Sequence, residues 1–208
     1  MADLETKDQI LEHASERYLS SGISKVSIDE LASELGMSKK TVYKFFPGKE
    51  TLLKSIVNLV THRTQKQIQQ VVSSDLPFEQ KMTKMLVIIG KLLSRMSRQF
   101  VRDMQRFAPA LWKEIETFRR EHALVYLKQM FQQAKDEKIF REDLDTDLFY
   151  LVFISSVEAI VNPAVLTEHS FSAQEAFNGI LKLLVEGALT DEAKDKYHFF
   201  GEEFEVTK

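Results

Sequence analysis

Residues 26–50 read VSIDELASELGMSKKTVYKFFPGKE, and this stretch predicts two short helices joined by a tight turn. Ser27 and Glu30 form a capping box, in which a serine and an acid three residues later satisfy each other's backbone N–H groups. Gly36 is the residue type that ends a helix, and Ser38 is one that caps the next. A helix, a turn containing glycine and a second helix together have the spacing of a helix-turn-helix motif.

The second helix of this motif has a charged outer face. Val42 and Phe46 lie one turn apart and are expected to point inward. At 100° per residue, Lys40 and Lys44 then point away from the core, and the flanks carry Lys39, Thr41 and Tyr43. Lysine binds phosphate or a guanine edge, and hydroxyl groups bind phosphate oxygens. The pattern indicates nucleic-acid binding; a merely solvated polar surface is the alternative.

The charge distribution supports that interpretation locally. The 208 residues carry a formal net charge of −3, but residues 37–66 hold seven lysines and arginines against one acid, Glu50. A local basic patch suffices for phosphate binding, because charges beyond about 10 Å are screened. Residues 81–106 form a second basic stretch, for which a solvated helix face is the simpler interpretation.

The composition predicts an all-α protein of about nine helices. Only seven glycines and four prolines are present, which favours long helices with short connections. The fourth helix is expected over about 49–72, and Ser73–Pro77 is the strongest break in the chain. The expected organisation is a helix-turn-helix domain at 1–52, a helical domain at 53–190 and a C-terminal tail at 191–208.

Few residues suggest catalysis. The absence of cysteine excludes disulfides, thiolate metal sites and a cysteine nucleophile. No glycine-rich nucleotide loop is present, and the five histidines form no HExxH motif. The sequence therefore predicts no enzyme, no metal site and no cofactor, although a helical-bundle enzyme or small-molecule carrier without a DNA role remains the alternative.

The chain is expected to be cytoplasmic. Its N-terminal residues are polar and include no apolar signal segment. The longest nearly apolar run, residues 148–161, is shorter than the ~20 residues that a membrane span needs.

Residues 10–57 resemble the DNA-binding domain of the TetR family of transcriptional regulators. The shared landmarks are the first helix from Ile10, Gly22, the motif at 26–46 and the start of the next helix at 49–53. The resemblance implies a homodimeric regulator, most often a repressor that a small-molecule effector releases from double-stranded operator DNA. It also implies that the following helices bind the effector and form the dimer.

The resemblance assigns DNA contacts residue by residue. Ser27 would hold a phosphate, and Lys49 would clamp the DNA backbone. The other expected contacts belong to the recognition helix and its cap: Ser38, Lys39, Lys40, Thr41, Tyr43 and Lys44. Lys40 stands where the family often has a small residue or proline. Phe45 replaces a common polar aromatic, so no contact is assigned to it.

The helices expected at about 146–161 and 172–189 are apolar on most of their circumference. Such helices must be buried on most sides. A second copy of the chain can supply that cover as a two-fold four-helix bundle. The residues expected at the dimer interface are Val157, Ile160, Phe177, Ile180, Leu181, Leu184 and Ala188. The alternative is a monomer whose other helices cover both.

Aromatic residues on the intervening helices are candidates for the effector pocket. They are Phe100, Phe107, Trp112, Tyr126, Phe149 and Phe153. Aromatics at helical spacing also form ordinary cores, and that interpretation stays open for each of them. The tail keeps four aromatic residues, Tyr197, Phe199, Phe200 and Phe204, which suggests docking onto the protein, with a solvated terminus as the alternative.

Overall fold

The computed structural model describes residues 2–196, with the backbone alone at 2, 124 and 196. Its helices are α1 (Ala2–Ser21), α2 (Ile28–Glu34), α3 (Lys39–Phe45), α4 (Lys49–Val72), α5 (Phe78–Ser94), α6 (Arg98–Phe107), α7 (Pro109–Asp136), α8 (Thr146–Ile160), α9 (Pro163–Glu168), α10 (Ala173–Ala188) and α11 (Asp191–Lys196). Within the described residues, β pairing is limited to one isolated bridge between Phe140 and Leu189. The all-α prediction is confirmed.

Eleven helices are described where about nine were expected. The two additional ones are short. In α9, the Asn162 side chain accepts a hydrogen bond from Val165 N, so Asn162-Pro163 starts a new helix rather than bending α8. The helix α11 lies at the start of the expected tail, whose four aromatics are outside the described residues.

The chain divides into two compact units. Unit 1 contains residues 1–64 and 95–115, and unit 2 contains residues 65–94 and 116–208. The chain passes between them three times, within α4, after α5 and within α7. Unit 1 therefore includes α6 and the start of α7 as well as the helix-turn-helix. The expected boundary between the two domains at residue 52 assumed that each domain is continuous in sequence, and it stays a prediction.

The core of unit 1 forms around residues from all four N-terminal helices. Ile10, Tyr18, Leu31, Val42 and Leu52 are fully buried in one cluster. The helix α6 joins this cluster through Phe100 and Met104. The seven-residue helices α2 and α3 are too short to be stable alone, so this shared core holds them in place.

The core of unit 2 is built on packed aromatic rings. The ring centroids of Phe131 and Phe149 lie 4.8 Å apart, and those of Phe78 and Phe140 lie 5.4 Å apart. The buried amine of Lys81 donates hydrogen bonds to the Val72 carbonyl at 2.9 Å and to Gln133 Oε1 at 2.8 Å. This buried cation therefore has protein partners.

Across residues 2–196, the helices lack the combination of length and apolar character that crossing a bilayer demands.

Candidate functional site

The recognition helix α3 starts at a well-formed cap. Ser38 Oγ accepts a hydrogen bond from Thr41 N at 3.1 Å, and the two side-chain oxygens lie 2.8 Å apart. Val42 is fully buried and Phe46 is nearly so, which fixes the inward face as expected. The side chains left outside are those of Lys39, Lys40, Tyr43 and Lys44. We call these four residues the recognition face.

The turn before α3 depends on glycine. Gly36 has φ +65°, a left-handed conformation that side chains disfavour. Gly36 N donates to Ser33 O at 3.1 Å, and Met37 N donates to Ala32 O at 2.8 Å. These bonds form a Schellman motif, which ends α2 abruptly and sends the chain into α3.

The expected capping box on α2 is present in full. Glu30 N donates to Ser27 Oγ at 3.1 Å, and Ser27 N donates to Glu30 Oε2 at 2.7 Å. The hydrogen bonds from Ser27 lower the pKa of Glu30. Because the Ser27 hydroxyl also donates to Glu30, a DNA phosphate at this helix start would compete with that carboxylate.

Acidic side chains neutralise part of the recognition face. Lys39 is paired with Asp29, and Lys44 Nζ donates to Asp3 Oδ2 at 2.7 Å. All four side chains are at least half exposed. Exposed ion pairs of this kind contribute about 0–1 kcal/mol each, so a phosphate can replace the carboxylates at little cost.

Lys49 is less accessible than the three lysines of the recognition face. It is half-buried, and its Nζ lies 5.8 Å from the centre of the Tyr18 ring. Burial lowers the pKa of Lys49, while the negative charges of Asp103 and Glu30 oppose that shift. The expected contact of Lys49 with the DNA backbone stays a prediction.

The structure reveals an anchor that the sequence reasoning missed. Asp103 on α6 is only 3% exposed. Its carboxylate accepts hydrogen bonds from Ser24 N at 2.6 Å, Ser24 Oγ at 3.1 Å and Gln99 Nε2 at 2.8 Å. Burial alone would raise the pKa of Asp103, but these hydrogen bonds outweigh it and lower the pKa. Asp103 thereby ties α6 to the loop that precedes α2.

Gly22 brings the two segments close enough for this anchor. It has φ +94°, and a Cβ atom placed there would lie 2.4 Å from Gln99 Cγ and 2.9 Å from Asp103 Oδ2. A larger residue would therefore force α6 away from the end of α1. Ser97 N also donates to Leu19 O at 2.8 Å, which adds a second tie between these helices.

The six aromatic candidates for the pocket are divided between the two units. Phe100 is buried in the core of unit 1, and Trp112 packs against that core. Phe107 is 55% exposed and lines a cavity of about 440 Å³ together with Lys49 and Pro109. All residues that line this cavity belong to unit 1.

The other three candidates belong to unit 2. Tyr126 is half-buried, whereas Phe149 and Phe153 are buried among neighbouring rings. Phe153 packs edge-on against Phe177 with ring centroids 6.3 Å apart. A role for these three in effector binding stays a prediction.

Most of the residues expected at the dimer interface are buried within the single chain, and their role in a dimer stays a prediction. Val157, Phe177, Ile180, Leu181 and Ala188 are each no more than 7% exposed in the single chain. Ile160 and Leu184 are half-buried. Apolar residues cover nearly all of α8 and more than half of α10, so the sequence could not indicate which side faces the protomer core.

A different set of large apolar residues on α8 and α10 is exposed. The set comprises Leu148 at 60%, Leu151 at 55%, Val152 at 41% and Leu183 at 78%. We call these four residues the apolar face. On α10, Gly179 and Gly187 lie one turn on either side of Leu183 and are also exposed, which leaves room for a close helix.

Residues 10–56 match the family described as bacterial regulatory proteins, tetR family. An uncharacterized HTH-type transcriptional regulator, YvaF of Bacillus subtilis, is 23% identical over 171 residues, which cover 81% of this chain and 88% of that protein.

Two solved structures share the fold. A transcriptional regulator from Cytophaga hutchinsonii has a TM-score of 0.64 and 18% identity, and the match covers 88% of this chain and 98% of that one. The ketosteroid transcriptional regulator KstR2 of Mycobacterium tuberculosis has a TM-score of 0.55 and 17% identity, with 89% and 95% covered. Residues 10–56 are therefore a helix-turn-helix domain of the TetR type, and the two solved structures show that the likeness in fold extends over most of the chain.

Proposed function

We propose that this chain is a homodimeric repressor that leaves its operator when a small molecule binds unit 2, and we assign it no catalytic activity. The observation that carries the proposal is the recognition face, which presents three lysines and a tyrosine on a capped helix directly after the helix-turn-helix turn. Within a chain of net charge −3, this local excess of lysine has its natural partner in DNA phosphate.

In the proposed complex, the two copies of α3 enter successive major grooves. A two-fold dimer fits two half-sites about 34–36 Å apart, one helical turn of DNA. Lys40 and Lys44 are proposed to reach base edges. The residues proposed to hold phosphates and set the register are Ser27, Ser38, Lys39, Thr41, Tyr43 and Lys49.

The dimer is proposed to form through the apolar face. Leu148, Leu151, Val152 and Leu183 lie on two helices that pack against each other within the protomer. Two such helix pairs, related by a two-fold axis, would make a four-helix bundle and remove these side chains from water. Burying each leucine or valine contributes about 1.5–3 kcal/mol.

Release is proposed to act through α6. The chain reaches α6 directly from α5 of unit 2, and Asp103 ties α6 to the loop before α2. An effector that prefers a protein state with the wrong spacing between the two recognition helices would weaken DNA binding. The loss of DNA-binding free energy could be no larger than the difference between the effector's binding free energies for the two states.

Fluorescence anisotropy with a duplex from the DNA upstream of the chain's own coding sequence tests the proposal. Wild type should bind this duplex more tightly than a scrambled one, with an affinity that falls steeply as salt is raised. The double variant Lys40→Ala/Lys44→Ala should lose about 1–3 kcal/mol for each lysine that reads bases. Unchanged operator binding by the folded double variant would contradict the assignment of α3.

A further inference from the structure

One arginine lies on the inward stripe of the long helix α7, within unit 2. Three core residues follow Arg119 along α7, the first after two turns and each of the others about one turn later. They are Leu127, Met130 and Ala134, and each is no more than 9% exposed. This spacing places Arg119 on the same side of α7 as these core residues. A charged side chain on such a stripe requires a specific partner.

The guanidinium of Arg119 is shielded from solvent but incompletely bonded. Its Nε and Nη2 atoms each expose less than 1 Å², and neither donates a hydrogen bond to any atom in the described part of the chain. Burial lowers the pKa of Arg119, and the charges of Glu116 and Glu158 oppose that shift. Two buried donors without an acceptor are costly, and natural structures retain few of them without a reason.

The next residue shows what this edge of a guanidinium can bind. Arg120 Nε donates to Glu158 Oε1 at 2.9 Å, and Arg120 Nη2 donates to Glu158 Oε2. Nε and Nη2 form one edge of the planar group, and the two parallel donors match the two oxygens of a carboxylate. Both oxygens of Glu158 are thus engaged by Arg120, whereas the same edge of Arg119 has no acceptor.

We propose that Arg119 binds the carboxylate of the effector, so that the small molecule controlling this regulator is an amphiphilic carboxylic acid with an apolar body. This inference rests on the proposed function, because it assigns a ligand class to the effector site of unit 2. We infer the apolar body from the apolar side chains on the same side of α7, which are Leu127, Met130 and Ala134.

Thermal unfolding without ligand gives the first test. If the Nε and Nη2 donors of Arg119 have no structural acceptor, Arg119→Met should melt at the same temperature as wild type or higher, because two unsatisfied buried donors are replaced by an apolar side chain of similar length. A lower melting temperature for Arg119→Met would show that Arg119 is a structural ion pair, and would overturn the proposal.

Ligand binding gives the second test, with matched pairs of carboxylic acids and their primary amides that have aliphatic, aromatic or steroid bodies. At least one acid should raise the melting temperature of wild type more than its amide does. Arg119→Gln should bind that acid about tenfold to a hundredfold more weakly, which corresponds to the loss of a charge-assisted hydrogen-bond pair. Arg120→Gln, with the same charge change one position away, should keep the preference.

Three results would overturn the carboxylate assignment. They are stabilisation by no acid of the panel, equal binding of acids and amides by wild type, and unchanged acid binding by Arg119→Gln. DNA binding is scored separately, and ligand-free Arg119→Gln should bind the upstream duplex like wild type. If wild type fails to bind that duplex but still distinguishes acids from amides, the proposed function fails while the ligand site stands.

Discussion

The recognition face on α3 and the apolar face on α8 and α10 are both exposed, but their chemistry is opposite. The recognition face is charged, and two of its lysines pair with the carboxylates of Asp29 and Asp3. The apolar face has leucines and a valine that are 41–78% exposed. A charged helix face is stable in water, whereas clustered exposed leucines usually mark an interaction site.

The difference indicates how each face is expected to function. The pairs on the recognition face are weak and exchangeable, so binding there should depend on salt. The apolar face gains stability from area removed from water, so its association should depend little on salt. If the apolar face forms the dimer, it also fixes the distance between two recognition faces, and the two surfaces become coupled.

The largest expected effect comes from placing a charge on the apolar face. Leu183→Asp should convert a dimer to monomers, because an unpaired carboxylate in an apolar interface is costly. Operator affinity should fall by more than about a hundredfold, since one half-site contributes far less binding energy than two. Analytical ultracentrifugation and anisotropy measure the two effects.

The matched control for this change is Leu4→Asp, which places the same charge at another exposed leucine. Leu4 is 69% exposed on α1 and lies in unit 1. This variant should remain dimeric. A dimeric Leu183→Asp protein would remove the apolar face from the interface.

A smaller effect is expected from Asp103, which ties α6 to the loop that precedes α2. Asp103→Asn keeps the shape of the side chain but removes the charge that accepts hydrogen bonds from Ser24 and Gln99. Unit 1 should lose about 1–3 kcal/mol of unfolding free energy, which urea denaturation at neutral pH measures.

The pH dependence of this difference has a defined sign. The pKa of Asp103 is lowered in the folded state, so its stabilising contribution is present above the unfolded value of about 4. The contribution is lost as the pH falls through the folded pKa. The stability gap between wild type and Asp103→Asn should therefore shrink below about pH 4, and a gap that is unchanged there would exclude the charge as its source.

The smallest effect concerns Asp3, one of the two acids that pair with the recognition face. Asp3→Asn removes the carboxylate that holds Lys44 and should tighten operator binding by no more than about fivefold. The gain should vanish in a Lys44→Ala background. A gain that persists there would mean that Asp3 acts through general charge repulsion of DNA.

The sequence allowed the helix-turn-helix to be predicted because its signals are local. These signals are the capping box of Ser27 and Glu30, the glycine at 36 and the cap at Ser38. They lie within twelve residues, and each marks the start or the end of a helix. The outward direction of Lys40 and Lys44 followed from the inward pair Val42 and Phe46, and the structure buries both of that pair.

Features that depend on distant contacts could not be predicted in the same way. Asp103 and Ser24 are 79 residues apart, and no local pattern connects them. On α8 and α10, the apolar residues cover too much of each helix to reveal which side faces the protomer core. For that reason Ile180 and Leu181 were expected at the dimer interface, whereas the structure buries both and exposes Leu183.

The central claim is that two chains, joined through the apolar face, place two recognition faces on one operator. The most direct test is the stoichiometry of the operator complex, measured by sedimentation of a labelled duplex with footprinting of the protected bases. We expect two chains per duplex and two protected major-groove segments about 34–36 Å apart. One chain per duplex, or a single protected segment, would contradict the account.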